Sequence, residues 1–174
     1  MKHLLLLSLF LFSSVLMQAQ DTKMSKKERK AAQKAEQIKK TKALVEAEAW
    51  QFEADQMLPM KGRSRSLTTN YSVTFQDNTV DSYLPYFGEA YRADYGSTES
   101  PMTFKSDISE YSIKDWKKGG WIIKFRAKNK NDIIDFTFTI SETGSTSLSV
   151  NSTNRQSISY YGELREIPKK EEEN

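Results

Sequence analysis

The sequence contains no cysteine and a single histidine, His3. Without cysteine there are no disulfides to staple the fold, so packing alone must hold it together. Nor is there a thiolate nucleophile or an acceptor for a lipid anchor. His3 lies in a segment that reads as a cleavable leader, so the chain that follows has neither residue. That excludes Ser-His-Asp and Cys-His nucleophilic sites and the usual zinc and transition-metal ligand sets. Glycine is sparse, with 7 residues, and none of them has the spacing of a phosphate-cradling loop. There is no Ser-x-x-Lys pair. Charge is nearly balanced, with 26 basic residues against 23 acidic, which gives little electrostatic reason to expect nucleic acid as a partner.

The N-terminus, "MKHLLLLSLFLFSSVLMQAQ", has a short positive start, an apolar stretch from Leu4 to Met17 and a small residue at Ala19. This is the layout of a secretory signal peptide over 1–20. The apolar run is shorter than the ~20 residues of a membrane-spanning helix, and no later stretch approaches that length. The expectation is an exported protein, periplasmic or secreted, that is not a lipoprotein and has no transmembrane segment after cleavage. The remaining ~150 residues suit one domain.

Residues 21–48 lack glycine and proline and are rich in alanine, lysine and glutamate, which favours a charged helix. Ser25 and Glu28 have the spacing of a capping box. The only large apolar residues in this stretch beyond Met24 are Ile38, Leu44 and Val45. From Trp50 the apolar period switches to two. It runs through Trp50, Phe52 and Ala54, then Tyr71, Val73 and Phe75. It returns in Trp121, Ile123, Phe125 and Ala127, in Ile134, Phe136, Phe138 and Ile140, and in Ile158, Tyr160, Gly162 and Leu164. Turn signals fall at Asp77–Asn78, Gly119–Gly120, "NKND" and Gly144. With weaker runs near 79–84, 102–106, 109–115 and 146–151, the strands number about eight. The class is mainly β, with a single antiparallel barrel or sandwich over 49–168; the two share the same alternation. The tail 169–174 is charged and reads as disordered.

The candidate site is the aromatic stretch "YLPYFGEAY", with Tyr83, Tyr86, Phe87 and Tyr91. Pro85 cannot donate to a strand ladder, so the strand before it must end there or lie at an edge. The rings either fold inward as a lid on the core or line an opening for a hydrophobic or sugar-like ligand. Arg155 is a candidate clamp for a carboxylate or phosphate, or else the partner of an acidic neighbour. Carboxylates for acid–base work, such as Asp77, Asp81, Asp107, Glu110, Asp132 and Asp135, fall in turns or on wet strand faces. No catalytic residue, metal or cofactor is therefore expected.

The stretches "WQFEADQMLPMKGRSRSLTTNYSV", "VDSYLPYFGEAY", "FKSDISEYSI", "GGWIIKFRA" and "NRQSISYYGEL" occur in an order that resembles the exported Bacteroidetes proteins of domain of unknown function family 4251. The resemblance covers about 45–168. It implies an exported antiparallel β-domain with a lipocalin-like barrel, and because the family carries no assigned activity it transfers no catalytic residue. The resulting expectation is a non-enzymatic binding module for an apolar or amphipathic ligand or a protein. The alternative is a structural or interaction protein of the envelope with a side-chain-filled barrel.

Overall fold

A computed structural model describes residues 25–92, 100–117 and 119–168. The expected leader and charged tail lie outside the described residues. Helix α1 spans Lys26–Glu46. It begins with the expected capping box: the Glu28 carboxylate accepts from the Ser25 N–H at 2.7 Å, and the Ser25 hydroxyl accepts from the Glu28 N–H at 3.2 Å. Two backbone donors that the first turn leaves unpaired are thus satisfied. These bonds hold the Glu28 carboxyl below its usual range. Its early residues are exposed, whereas Thr41 and Val45 are buried and Leu44 packs on the core.

Eight strands follow: β1 Trp50–Pro59, β2 Arg65–Gln76, β3 Thr79–Tyr83, β4 Thr103–Asp115, β5 Trp121–Asn129, β6 Asp132–Ile140, β7 Ser145–Ser152 and β8 Ile158–Arg165. Each pairs antiparallel with the next, and β8 returns to pair with β1, so the sheet is a closed barrel and not a sandwich. Closure leaves the sheet without a first or last edge. The tight Asp77–Asn78 turn has both residues at positive φ, 51° and 58°, as a two-residue hairpin with the right twist requires.

The alternation places one face inside. Trp50, Phe52, Phe75, Phe125, Phe136 and Phe138 are buried, and their rings stack or meet edge-on at centroid separations from 5.0 to 5.8 Å along most neighbouring pairs. Pairs of this kind add roughly 0.5–1.5 kcal/mol each beyond the area they bury. The lumen is occupied by the protein's own side chains. Outward positions such as Glu53, Lys124, Arg126 and Thr137 are polar, the reverse of the apolar exterior of a membrane-spanning barrel. Among the described residues no helix is long and apolar enough to cross a membrane.

Two bulges adjust the pattern. In β1 the register slips between Ala54 and Gln56, so that Met57, and not its neighbour, faces inward. In β4 Glu110 takes a φ of 54° inside a second slip between Ser109 and Ser112. The runs expected near 102–106 and 109–115 are therefore one bent strand whose inward set changes parity, bringing Tyr111 onto Phe75 at 5.4 Å.

The up-and-down order gives the barrel two distinct ends. At the helix end, residues 41–45 lie against the β6–β7 turn, where a side chain at Gly144 would sit 3.2 Å from the Thr41 Oγ1, and Val45 joins the core. At the loop end come the β1–β2 connection, the segment after β3, the β5–β6 turn and the β7–β8 connection.

Candidate functional site

The segment after β3 closes the loop end. Ser82 donates to the Met102 carbonyl at 2.7 Å, and Ser100 donates to the Leu84 carbonyl at 2.6 Å. Leu84 and Met102 are thereby set into the core. The Tyr160 hydroxyl, at the bottom of this plug, donates to the Pro85 carbonyl at 2.7 Å. Burial pushes that phenol well above its ordinary range. Tyr86 leans inward, with its hydroxyl within reach of the carbonyl oxygens of Gln156 at 3.0 Å and Glu89 at 3.2 Å. Its phenol too is raised, by burial, with the charge of Arg155 opposing. Gly88 makes room for this ring, since a Cβ there would collide with it.

Beyond Gly88 the chain is laced to the β7–β8 connection. Gln156 donates from its N–H to the Glu89 carbonyl at 3.1 Å, and from Nε2 to the Glu89 carboxylate at 2.8 Å. Ala90 bridges Arg155, and the Tyr91 N–H donates to the Asn154 carbonyl at 2.8 Å.

The four aromatics of the stretch thus have different fates. Tyr86 is half-buried. Tyr83 is 47 % exposed and lies on Tyr71, with centroids 5.3 Å apart. Phe87 is 50 % exposed, with the Arg65 guanidinium 3.7 Å over its ring, a cation–π contact. Tyr91 is 66 % exposed. Among the described residues the segment is at once a plug of the barrel and a row of outward rings.

Arg155 is buried. Its guanidinium donates to Asp132 at 2.7 Å. The same carboxylate accepts from the Ser152 hydroxyl at 2.7 Å, the Thr153 hydroxyl at 3.0 Å and the Asn154 N–H at 3.3 Å. A buried charge pair is tolerated when its remaining hydrogen-bonding capacity is filled, and these three donors fill that of the carboxylate. Asp132 was expected on a wet turn; its partners lie about twenty residues downstream, and no local pattern around "NKND" signals them. Of the remaining carboxylates, Glu110 and Asp135 line one cleft, and Asp77 and Asp81 another. Glu110 and Asp135 share Arg126 on the outer wall, and Asp77, Asp81 and Asp107 are exposed.

Among the described residues, three of the clefts on the barrel surface bear on the site. The one adjoining the plug, about 410 Å³, is lined by Tyr71, Tyr83, Pro85, Tyr86, Ser100 and Thr103. It brings Tyr83 and Tyr86 together with Tyr71, which the sequence reading had placed only as a strand residue. Phe87, Tyr91 and Arg155 are not part of it. The second, about 370 Å³, surrounds Arg126 on β4–β7, and the third, about 560 Å³, lies along β1–β4 beside Pro168.

The model of the family described as "Domain of unknown function (DUF4251)" matches residues 32–164. Among solved structures, the crystal structure of a DUF4251 family protein from Bacteroides eggerthii is similar, with a TM-score of 0.58 and 15 % identity over 78 % of this chain and 91 % of that one. At that identity the likeness speaks to the fold. No curated protein matches the chain significantly.

Proposed function

The chain belongs to the DUF4251 family, and on that premise we propose that it is an exported, non-enzymatic interaction protein of the bacterial envelope that recognises its partner on the outside of a filled barrel. One observation carries this reading: the lumen holds packed aromatic rings and both of its ends are occupied, while Tyr83, Phe87 and Tyr91 remain outside. Aromatic side chains on a rigid support are the usual anchors of recognition surfaces. Export is supported by the leader-like start, and the absence of histidine and cysteine beyond it supports a role other than nucleophilic catalysis.

The test is affinity capture from the native envelope after mild crosslinking. The native protein is compared with a variant carrying Tyr83→Ser, Phe87→Ser and Tyr91→Ser whose unfolding midpoint is unchanged. A defined component recovered with the former and lost with the latter is expected. Equal recovery with both would move recognition away from this end.

A second reading rests on the cleft between Tyr71, Tyr83 and Tyr86, whose aromatic walls and hydroxyl groups suit a small amphipathic ligand. Mass spectrometry of material released on denaturing the natively purified protein tests it. A stoichiometric small molecule, absent from Tyr71→Ala/Tyr83→Ala, is the supporting outcome.

A further inference from the structure

The connections at the loop end combine exposed apolar tips with cations. Met60, 62 % exposed, stands on the β1–β2 connection beside Lys61 and Arg63, and Phe87 and Tyr91 stand on the segment after β3 beside Arg92. These two connections meet. Lys61 reaches Glu89 at 3.3 Å and Arg65 covers Phe87. Lys130, in the β5–β6 turn at a φ of 54°, lies on the same end. The two acidic side chains of these connections among the described residues are already engaged, Glu89 by Lys61 and Asp132 by Arg155. Arg63, Arg92 and Lys130 are exposed and make no ion pair among the described residues.

We propose that this end of the barrel docks on an anionic phospholipid bilayer, with Met60, Phe87 and Tyr91 entering the headgroup region and Arg63, Arg65, Arg92 and Lys130 facing the lipid phosphates. The pairing of rings with arginine is the composition that favours an interface between water and hydrocarbon. Cations near an anionic leaflet are attracted within a Debye length. A filled lumen leaves these tips no cavity to retreat into, and the polar barrel wall limits contact to this end. The inference deepens the interaction-protein reading by naming the partner.

The experiment is co-sedimentation of the mature protein, as recovered from exporting cells, with phosphatidylglycerol and with phosphatidylcholine vesicles at low and high salt. Binding to the anionic vesicles only, weakened by salt, is expected. Arg63→Gln, Arg65→Gln and Arg92→Gln should each lower the partition coefficient by about fivefold, the factor equivalent to about 1 kcal/mol per cation. Met60→Ser/Phe87→Ser/Tyr91→Ser should abolish binding while leaving the unfolding midpoint in place. A control replaces Lys26, Lys27, Arg29 and Lys30 by glutamine. Loss of binding in that control with retention in the loop-end variants would assign the attachment to the helix and overturn the proposal. So would equal binding to both lipids, no binding at all, or a concentration-dependent dimer that the loop-end substitutions dissociate. If vesicle binding fails while the envelope component is still captured, only this inference falls.

Discussion

At the scale of the residue, the most consequential contact is the one between Asp132 and Arg155. Their attraction matters less than what the Asp132 carboxylate would suffer without its cation, because it would stay buried. Arg155→Met should cost about 3–5 kcal/mol in urea unfolding and loosen the Asn154–Gln156 lacing on which the plug depends. Tyr111 is the opposite case. Its hydroxyl is buried without a hydrogen bond of good geometry, although the Glu48 carboxylate is near enough to act on it. Burial first, and then that charge, push the phenol up to about 12. In the folded protein it therefore keeps a proton that the unfolded chain releases near pH 10. Stability must then fall as the pH rises through that window. Tyr111→Phe should be neutral or stabilising at pH 7, and should flatten the loss of stability above pH 10. Denaturant midpoints across pH 7–12 check both statements.

The sequence located the aromatic stretch but not the direction of each ring. Alternation ends at Pro85, and beyond it orientation depends on bonds to partners some 70 residues away. Arg155 shows the same limit, since an acidic partner was one of its sequence readings but nothing local named Asp132, 23 residues away.

At the scale of the element, helix α1 has two jobs along its length. Its early turns are exposed, while Thr41, Leu44 and Val45 cover core at the helix end of the barrel. Removing residues 21–33 should leave the thermal midpoint unchanged. Extending the deletion to residue 46 should lower it, by an amount on the order of 2 kcal/mol or more for the exposed core, followed by calorimetry. The helix was plain in composition and in its capping box, and its large apolar residues Ile38, Leu44 and Val45 all fall in the half that docks. The bent strand β4 was harder still. Its bulge sits on Glu110, and a glutamate at positive φ carries no local signal of the kind that glycine gives at Gly120 or Gly144.

The whole molecule depends on the seam between β1 and β8. At Gly162 the β8 backbone lies so close to β1 that a Cβ would run into the Glu53 carbonyl oxygen. The collision is with main chain, so no side chain can turn aside to relieve it. Gly162→Ala should open or shift the seam and expose two strand edges, with aggregation as the visible result. Size-exclusion chromatography checks this, with Gly62→Ala, strained at a φ of 129° but with open space for its Cβ, as the comparison that separates backbone strain from collision. Strand number and alternation were legible in the sequence because each strand is a local pattern. Closure was not, since barrel and sandwich place the same residues inside, and the choice lies in a pairing between segments more than a hundred residues apart.

That pairing also orients the molecule. The first strand starts and the last strand finishes at the same end of the barrel, with Gln51 opposite Arg165, and the Tyr83–Tyr91 segment lies at the other. Any tether joined to either side of the β-domain therefore pulls from one pole and leaves the opposite pole facing outward. A purification tag, a fluorescent fusion or a surface linkage attached at the C-terminal side would present the aromatic end to solution.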